Sequence, residues 1–269
     1  MAQSDKVFSG SIPALYDRHL GPMIFEPYAL DIAERAARHA PRRILEIAAG
    51  TGIATRALVR KLPEVPVVAT DLNQPMLDHA ARQMPTGSAV TWRQADAQSL
   101  PFADGSFDLV VCQFGAMFFP DKAKAYGEAR RVLAPGGHFL FSVWDRIEAN
   151  EATELVSDAV ASMFPNDPPG FLRRTPHGYH DVAAIRATLT RSGFTSVLGE
   201  TVEKRGRAPS ARDPAIGFCQ GSPLRNEIEA RDKSRLEEAT DASAEAVASR
   251  FGRGPIDSKI QAIVIEAAR

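Results

Sequence analysis

Between Pro41 and Asp145 the chain alternates short apolar runs with helical stretches, and this alternation restricts the fold more than any other feature. Arg43-Ile44-Leu45-Glu46-Ile47-Ala48 predicts a strand, Gly50-Thr51-Gly52 the turn after it, and Ile53 to Leu62 a helix stopped by Pro63. Val65 to Thr70 is a second β-branched run. Met76, Leu77, Ala80, Ala81 and Met84 follow Pro75, a good first-turn residue, at helical spacing. Val90 to Arg93 is a weaker third strand. Phe107 to Gln113 is a fourth, nearly all apolar, as expected of a strand covered on both faces. Ala123, Tyr126 and Leu133 mark one face of the next helix, and Pro135-Gly136-Gly137 turns the chain into a fifth strand, His138 to Trp144. Strand, helix, strand at this pitch implies right-handed crossovers and a parallel sheet. Ligands on such sheets bind beyond the carboxyl ends of the strands.

The flanks are less regular. Ile12 to His39 predicts two helices broken at Gly21-Pro22 and Pro27. Ala149, Ala152, Leu155, Val156, Ala159, Val160 and Met163 give an amphipathic helix, followed by a Pro- and Gly-rich loop from Pro165 to Gly178. Asp181 can cap a helix carrying Val182, Ile185 and Leu189 that ends at Gly193. Thr195 to Val202 alternates weakly as a strand, Pro209 to Phe251 is helical and highly charged, and Ile260 to Ile265 has the apolar density of a last buried strand or a short terminal helix. The expected organisation is one domain over 1–269, with cap helices at 1–40, a ligand-binding core at 41–145 and a helical insertion at 206–255. The caps and the insertion are expected to cover the ligand end of the sheet.

Of the 269 residues 44% are apolar and 24% charged, as in a soluble globular protein. Lys+Arg 32 against Asp+Glu 33 leaves a formal charge of −1, so no polybasic surface is available to grip phosphate backbones. Met1 to Gly10 has no apolar leader core, and the longest nearly apolar stretch, Leu109 to Phe119, is interrupted by Gln113 and too short to span a bilayer. Cys112 and Cys219 make neither a disulfide framework nor a metal cluster without other ligands. No metal ligand set is expected, and the cytoplasm is the expected compartment.

The chemistry is expected at the strand ends. Gly50 and Gly52 permit a tight turn and a close approach of ligand to backbone. Asp71 ends the second strand, where a carboxylate can accept from both hydroxyls of a ribose; its other reading is a cap for the helix after Asn73-Gln74-Pro75. Asp96 is the next acceptor on the same rim, or a turn residue. Glu46 lies inside an apolar strand, where an unpaired carboxylate costs several kcal/mol, so it must meet a cation or several donors.

These residues resemble the class I S-adenosylmethionine-dependent methyltransferases, and within them the type 11 group related to the quinone-biosynthesis methyltransferases. Five blocks carry the resemblance in order: ILEIAAGTG (44–52), ATDLNQPML (69–77), ADAQSLPFADGSFD (95–108), VVCQFGAMFFP (110–120) and RVLAPGGHF (131–139). The resemblance implies a Rossmann-like α/β sheet of five parallel strands plus a C-terminal antiparallel hairpin strand, with a helical cover. It also implies S-adenosylmethionine as cofactor, with the Gly50-Gly52 turn under the methionine portion and Asp71 on the ribose. Asp96 and Ala97 would meet the adenine by side chain and backbone N–H. Leu72 and Met76 would supply apolar contacts, Gln113 and Phe114 would border cofactor and substrate, and Tyr16 would close over the amino-acid end. The family usually has glycine where this chain has Ala48, which puts one methyl group at the tightest approach.

A nicotinamide-dependent oxidoreductase would share the glycine turn and the ribose acid. However, the third glycine of its fingerprint is replaced by Thr55, and Arg130 stands where a Tyr-x-x-x-Lys pair starting at Tyr126 would need lysine. A non-catalytic S-adenosylmethionine-binding protein is the other alternative. Phe114 and Met117 are expected as walls of a substrate pocket together with Tyr28, with Phe118 and Phe119 packing the next helix. The expected acceptor is a small, largely apolar or aromatic molecule. Nucleic acid and membrane are not expected as partners, and the protein is expected as a monomer or homodimer. His19, His177 and His180 are candidate bases in the flanks, but each is expected first as a solvated loop histidine. Arg173-Arg174 reads as a solvated charge pair, and no catalytic base is named.

Overall fold

The computed structural model describes residues 10–269, so the leader reading of Met1 to Gly10 falls almost wholly outside the described residues. Seven strands form one sheet: β1 Ile44–Ile47, β2 Val67–Asp71, β3 Val90–Gln94, β4 Phe107–Gln113, β5 Leu133–Trp144, β6 Ser196–Ala208 and β7 Ile256–Ala268. Their order is β3-β2-β1-β4-β5-β7-β6. The first five are parallel, with Ile44 opposite both Val67 and Leu109, and Gln113 opposite Ser142. β7 runs against β5, since Arg269 N–H donates to Gly137 O while Asp145 N–H donates to Gln261 O. β6 runs against β7 by the same criterion: Thr195 N–H reaches Ala268 O, and the Ser258 hydroxyl reaches Gly206 O. Five parallel strands with an antiparallel closing hairpin are what the sequence leads one to expect.

The central strands are apolar on both faces and buried throughout at β1 and β2, whereas β3 at the edge is half exposed. Between them run α3 Ile53–Lys61, α4 Gln74–Gln83 and α5 Lys122–Val132, preceded by α1 Ile12–Leu15 and α2 Glu26–Arg38. Later helices are α6 Glu151–Met163, α7 Phe171–Arg174, α8 Val182–Arg191, α9 Arg212–Cys219, α10 Leu224–Asp232 and α11 Leu236–Phe251. Asp181 caps α8 as expected, accepting from Ala183 and Ala184 N–H.

Three expectations need correction. The N-terminal helices are not broken at Gly21-Pro22: Tyr16–Phe25 winds as a π-helix, closed by Glu26 N–H bonding to Gly21 O, and Pro22 sits inside it. The wider turn tolerates a residue without an N–H, and Pro27 falls in the first turn of α2. Strand β5 starts at Leu133, before the Pro-Gly-Gly turn, which survives as a register jump between the Phe107–Leu133 and Leu109–His138 pairs. Finally, β6 and β7 are longer than the expected 195–202 and 260–265, and their additional residues include buried ones: Gly206 and Ala208 in β6, Ile256, Ser258 and Ala267 in β7.

The chain folds as two compact units, each assembled from three separate segments. One comprises Tyr28–Val143, His180–Val202 and Ala262–Arg269. Its core includes an aromatic cluster in which Phe139 stacks on Phe141 at 4.7 Å and on Phe194 at 5.9 Å, with Tyr126 against both strand phenylalanines. The other comprises the residues up to Pro27, Trp144–Tyr179 and Glu203–Gln261. There α9 lies so close to the π-helix that a Cβ on Gly217 would come within 2.5 Å of the Leu20 side chain.

Candidate functional site at the carboxyl ends of the parallel strands

The strand order reverses between β1 and β4, and at such a reversal the loops leaving neighbouring strands diverge and open a crevice. Ala48 leaves β1 there and Phe114 leaves β4. Both are non-glycine residues held at positive φ, 56° and 53°. That backbone region costs an L-residue roughly 1–2 kcal/mol, and such strain collects at functional sites.

The turn after β1 is braced from β2. Gly50 N–H donates to Asp71 Oδ2 at 2.9 Å, and Asn73 N–H donates to Asp71 Oδ1 at 2.8 Å. Asp71 is therefore not the side-chain cap of α4, whose N-cap position is Asn73. Burial pushes its pKa upward against the N–H donors of Asn73 and Gly50. The two glycines divide their tasks. A Cβ on Gly50 would meet nothing within 4 Å, whereas one on Gly52 would stand 3.0 Å from Ala80 Cβ and 3.1 Å from Trp92. Gly50 thus borders open space, while Gly52 allows a left-handed turn packed against α4.

Glu46 is 1% exposed, and its Oε2 accepts from the Thr55 hydroxyl at 2.6 Å. Burial raises its pKa to about 8, the Asp71 charge adding to the effect, while the Thr55 hydrogen bond and Arg56 oppose it. A buried acid poised near neutrality beside a reversal crevice fits a ligand that carries positive charge. Thr55 is the residue the sequence missed. It appears there only as the departure from a dinucleotide fingerprint, yet it is wholly buried and holds the acid. The Ser142 hydroxyl, opposite Gln113 in the β4–β5 register, is buried with no hydrogen-bond partner.

Along the rim, Asp96 is exposed and accepts from Gln98 N–H at 2.8 Å, which makes it a turn residue with free carboxylate capacity, and Ala97 beside it is buried. Leu72 is 46% exposed, an unusual position for a large apolar side chain, and Met76 is buried. Phe114 meets Tyr28 edge to face at 5.4 Å, while the Tyr28 hydroxyl donates to Val202 O at 2.9 Å. Met117 is buried in a short turn, and its carbonyl and that of Phe119 accept from the Lys122 ammonium. Tyr16 belongs to the other unit, where its ring stacks on Phe25 at 4.6 Å.

None of the flanking histidines is a solvated loop residue except His180, which is exposed. His19 Nδ1 pairs with Asp213 at 3.1 Å. His177 is buried with Nδ1 2.7 Å from the Asp145 carbonyl oxygen, so that nitrogen carries a proton. Arg173 bridges Glu148 and Asp158, and Arg174 bridges Glu227, so this pair is neutralised within its own unit.

Residues 45–141 match the family described as "Methyltransferase domain". Over 106 residues the chain is 45% identical to a demethylmenaquinone methyltransferase of Thermus thermophilus, covering 39% of this chain and 48% of that protein. It is 35% identical over 161 residues to a malonyl-[acyl-carrier protein] O-methyltransferase of Geobacter sulfurreducens, covering 58% of this chain and 57% of that protein. The chain thus spans about half the length of the curated relatives it matches. Among solved structures, phosphoethanolamine N-methyltransferase 2 of Haemonchus contortus superposes with a TM-score of 0.58 at 19% identity, over 96% of this chain and 57% of that one, and so shares the fold. No helix among the described residues is long and apolar enough to cross a membrane. Residues 45–141 thus match the methyltransferase domain family, and the sheet they help build has the class I, Rossmann-like strand order.

Proposed function

We propose that this chain is an S-adenosylmethionine-dependent methyltransferase acting on a small, largely apolar or aromatic acceptor. The observation that carries the proposal is the braced turn: Gly50 with an open face, tied to Asp71, beside the buried acid Glu46. Asp71 Oδ1 accepts from the Asn73 N–H and side-chain amide and Oδ2 from Gly50 N–H, so the acceptor capacity offered to a ribose is that remaining on Oδ2. Asp96 and the Ala97 N–H face the adenine edge, Leu72 and Met76 its rings, and Gln113 with Phe114 the methyl-bearing end. Ala48 stands beside the turn, and Gly52 fixes where the helix begins. Tyr16 is assigned to the amino-acid end by resemblance alone.

When bound, the cofactor supplies an electrophilic methyl group on a sulfonium centre. The chain's own task is to align an acceptor in line with that group and to exclude water, which supplies most of the acceleration when no covalent intermediate is needed. Phe114, Met117 and Tyr28 suit an apolar or aromatic acceptor, consistent with the quinone precursor named for the Thermus relative. A carbon or oxygen acid must also lose a proton, and no residue is assigned to that step.

Calorimetry with S-adenosylmethionine and S-adenosylhomocysteine is expected to show one-site binding of both and none of NAD. Binding of NAD alone would overturn the proposal. Transfer of labelled methyl to a panel of quinols, phenols and carboxylic acids then separates an enzyme from a cofactor-binding protein.

A further inference from the structure

His39, just past the end of α2, His138 on β5 and Glu266 on β7 converge on one point of the unit that holds the parallel strands. His39 Nε2 lies 3.3 Å and His138 Nδ1 3.4 Å from the same oxygen, Glu266 Oε1. All three ligand atoms fall within 4.8 Å of one another. The His138 Nδ1 atom is buried without a hydrogen-bond partner, because its approach to Glu266 lacks hydrogen-bond geometry. A buried unsatisfied nitrogen costs roughly as much as a lost hydrogen bond, so its retention calls for a partner.

We infer that His39, His138 and Glu266 form a binding site for a divalent transition cation, zinc first, with water completing the coordination. Ligands around a tetrahedral zinc at bonds of about 2.0–2.1 Å are separated by roughly 3.3 Å, which matches the distance of Glu266 Oε1 from each imidazole nitrogen. Two imidazoles and one carboxylate suit zinc better than magnesium or calcium, which prefer all-oxygen sets. The imidazole rings lie 4.1 Å apart, an arrangement that disfavours two positive charges. The three side chains remain 17%, 30% and 32% exposed, leaving an entry path for the ion and room for water.

The site is distinct from the crevice. His138 pairs with Leu109, while Ser142 pairs with Gln113, the last residue of β4, so the cluster lies four residues back along β5 from that level, about 13 Å. A bound ion there would tie the end of α2 to β5 and β7. It would act on the stability of the closing strand rather than on the acceptor.

The test uses the full chain, stripped with a chelator and carrying no histidine tag. Zinc is expected to bind one-to-one in calorimetry and to raise the melting temperature. Cobalt is expected to give the visible bands of a tetrahedral site without thiolate charge-transfer absorption, which excludes Cys112 and Cys219 as ligands. His39→Asn and Glu266→Gln, both at partly exposed positions, are each expected to weaken zinc affinity about ten-fold or more while cofactor binding is kept. His138→Asn should do the same if it folds. No saturable zinc binding, or binding unchanged in His39→Asn and Glu266→Gln, would overturn the inference and leave the cluster as a histidine–glutamate ion pair.

Discussion

A Cβ built on Gly115 would stand 2.4 Å from the Cβ of Ala48. The two residues follow the two strands that part at the reversal point, and they share one pocket of space. After β1 this chain carries alanine in a left-handed conformation, and the space its methyl group takes is left free by the absence of a side chain at Gly115.

Gly115→Ala is therefore expected to destabilise the fold by about 2–3 kcal/mol through overpacking, since Cys112 Sγ stands a further 2.8 Å from the added methyl group. Ala48→Gly should be nearly neutral alone. It relieves about 1 kcal/mol of left-handed strain and gives back a similar amount as unfolded-chain entropy. In the double variant it should recover part of the Gly115→Ala loss. Urea denaturation of the four proteins checks this, and strict additivity would show that the two sites do not share space.

Glu46 sets a pH dependence. Its folded pKa of about 8 lies above the unfolded value of 4.5, so the folded state holds a proton that the unfolded chain has released. The stabilising contribution is complete below pH 4.5 and is lost as pH rises through 8. Between pH 6 and 8 the ligand-free protein should lose on the order of 2 kcal/mol from this group. Glu46→Gln should flatten that slope, as read from denaturation midpoints at each pH. A variant as pH-sensitive as the parent would remove Glu46 as the cause.

Asp71 has two duties, and its variants should separate them. Asp71→Ala removes the acceptors of Gly50 and Asn73 as well as those offered to a ribose, so both thermal stability and cofactor affinity should fall, the latter ten-fold or more. Asp71→Asn keeps one acceptor oxygen and should lose less of each. Unchanged affinity in a folded Asp71→Ala protein would leave the residue as a brace of the glycine turn only.

Tyr28→Phe keeps the ring against Phe114 but leaves the Val202 carbonyl without its donor, for a cost of about 1–2 kcal/mol in stability. Tyr28→Ala additionally frees Phe114 to leave its strained backbone. In a methyl-transfer assay the first should keep KM for the acceptor and the second should raise it. Equal kinetics in both would remove Tyr28 and Phe114 from the acceptor side.

The parallel core was legible because each strand is a short apolar run punctuated by a residue whose physics is local: Pro63, Gly52, Pro75. The N-terminal segment misled, because Gly21-Pro22 breaks an α-helix but not a π-turn, and choosing between those depends on packing against residues far along the chain. The placement of Asp71 at the end of β2 and of the glycines in the turn after β1 was legible from position alone. Thr55, Gly115 and the His39–His138–Glu266 cluster were not. Their importance lies in a single neighbour brought close by the fold, and the sequence leaves no trace of that at either residue.

Each of the two units is stitched from three stretches of chain, and both need residues beyond position 255 to be complete. A nascent chain can form β1 to β5 early, but β7 follows the other six strands of the sheet and contributes to both units. Removing the final dozen residues would therefore leave two unfinished bodies rather than one intact and one missing. Limited proteolysis of such a truncation should find cleavage sites across the whole chain, and attempts to express either unit as a contiguous fragment should give aggregates.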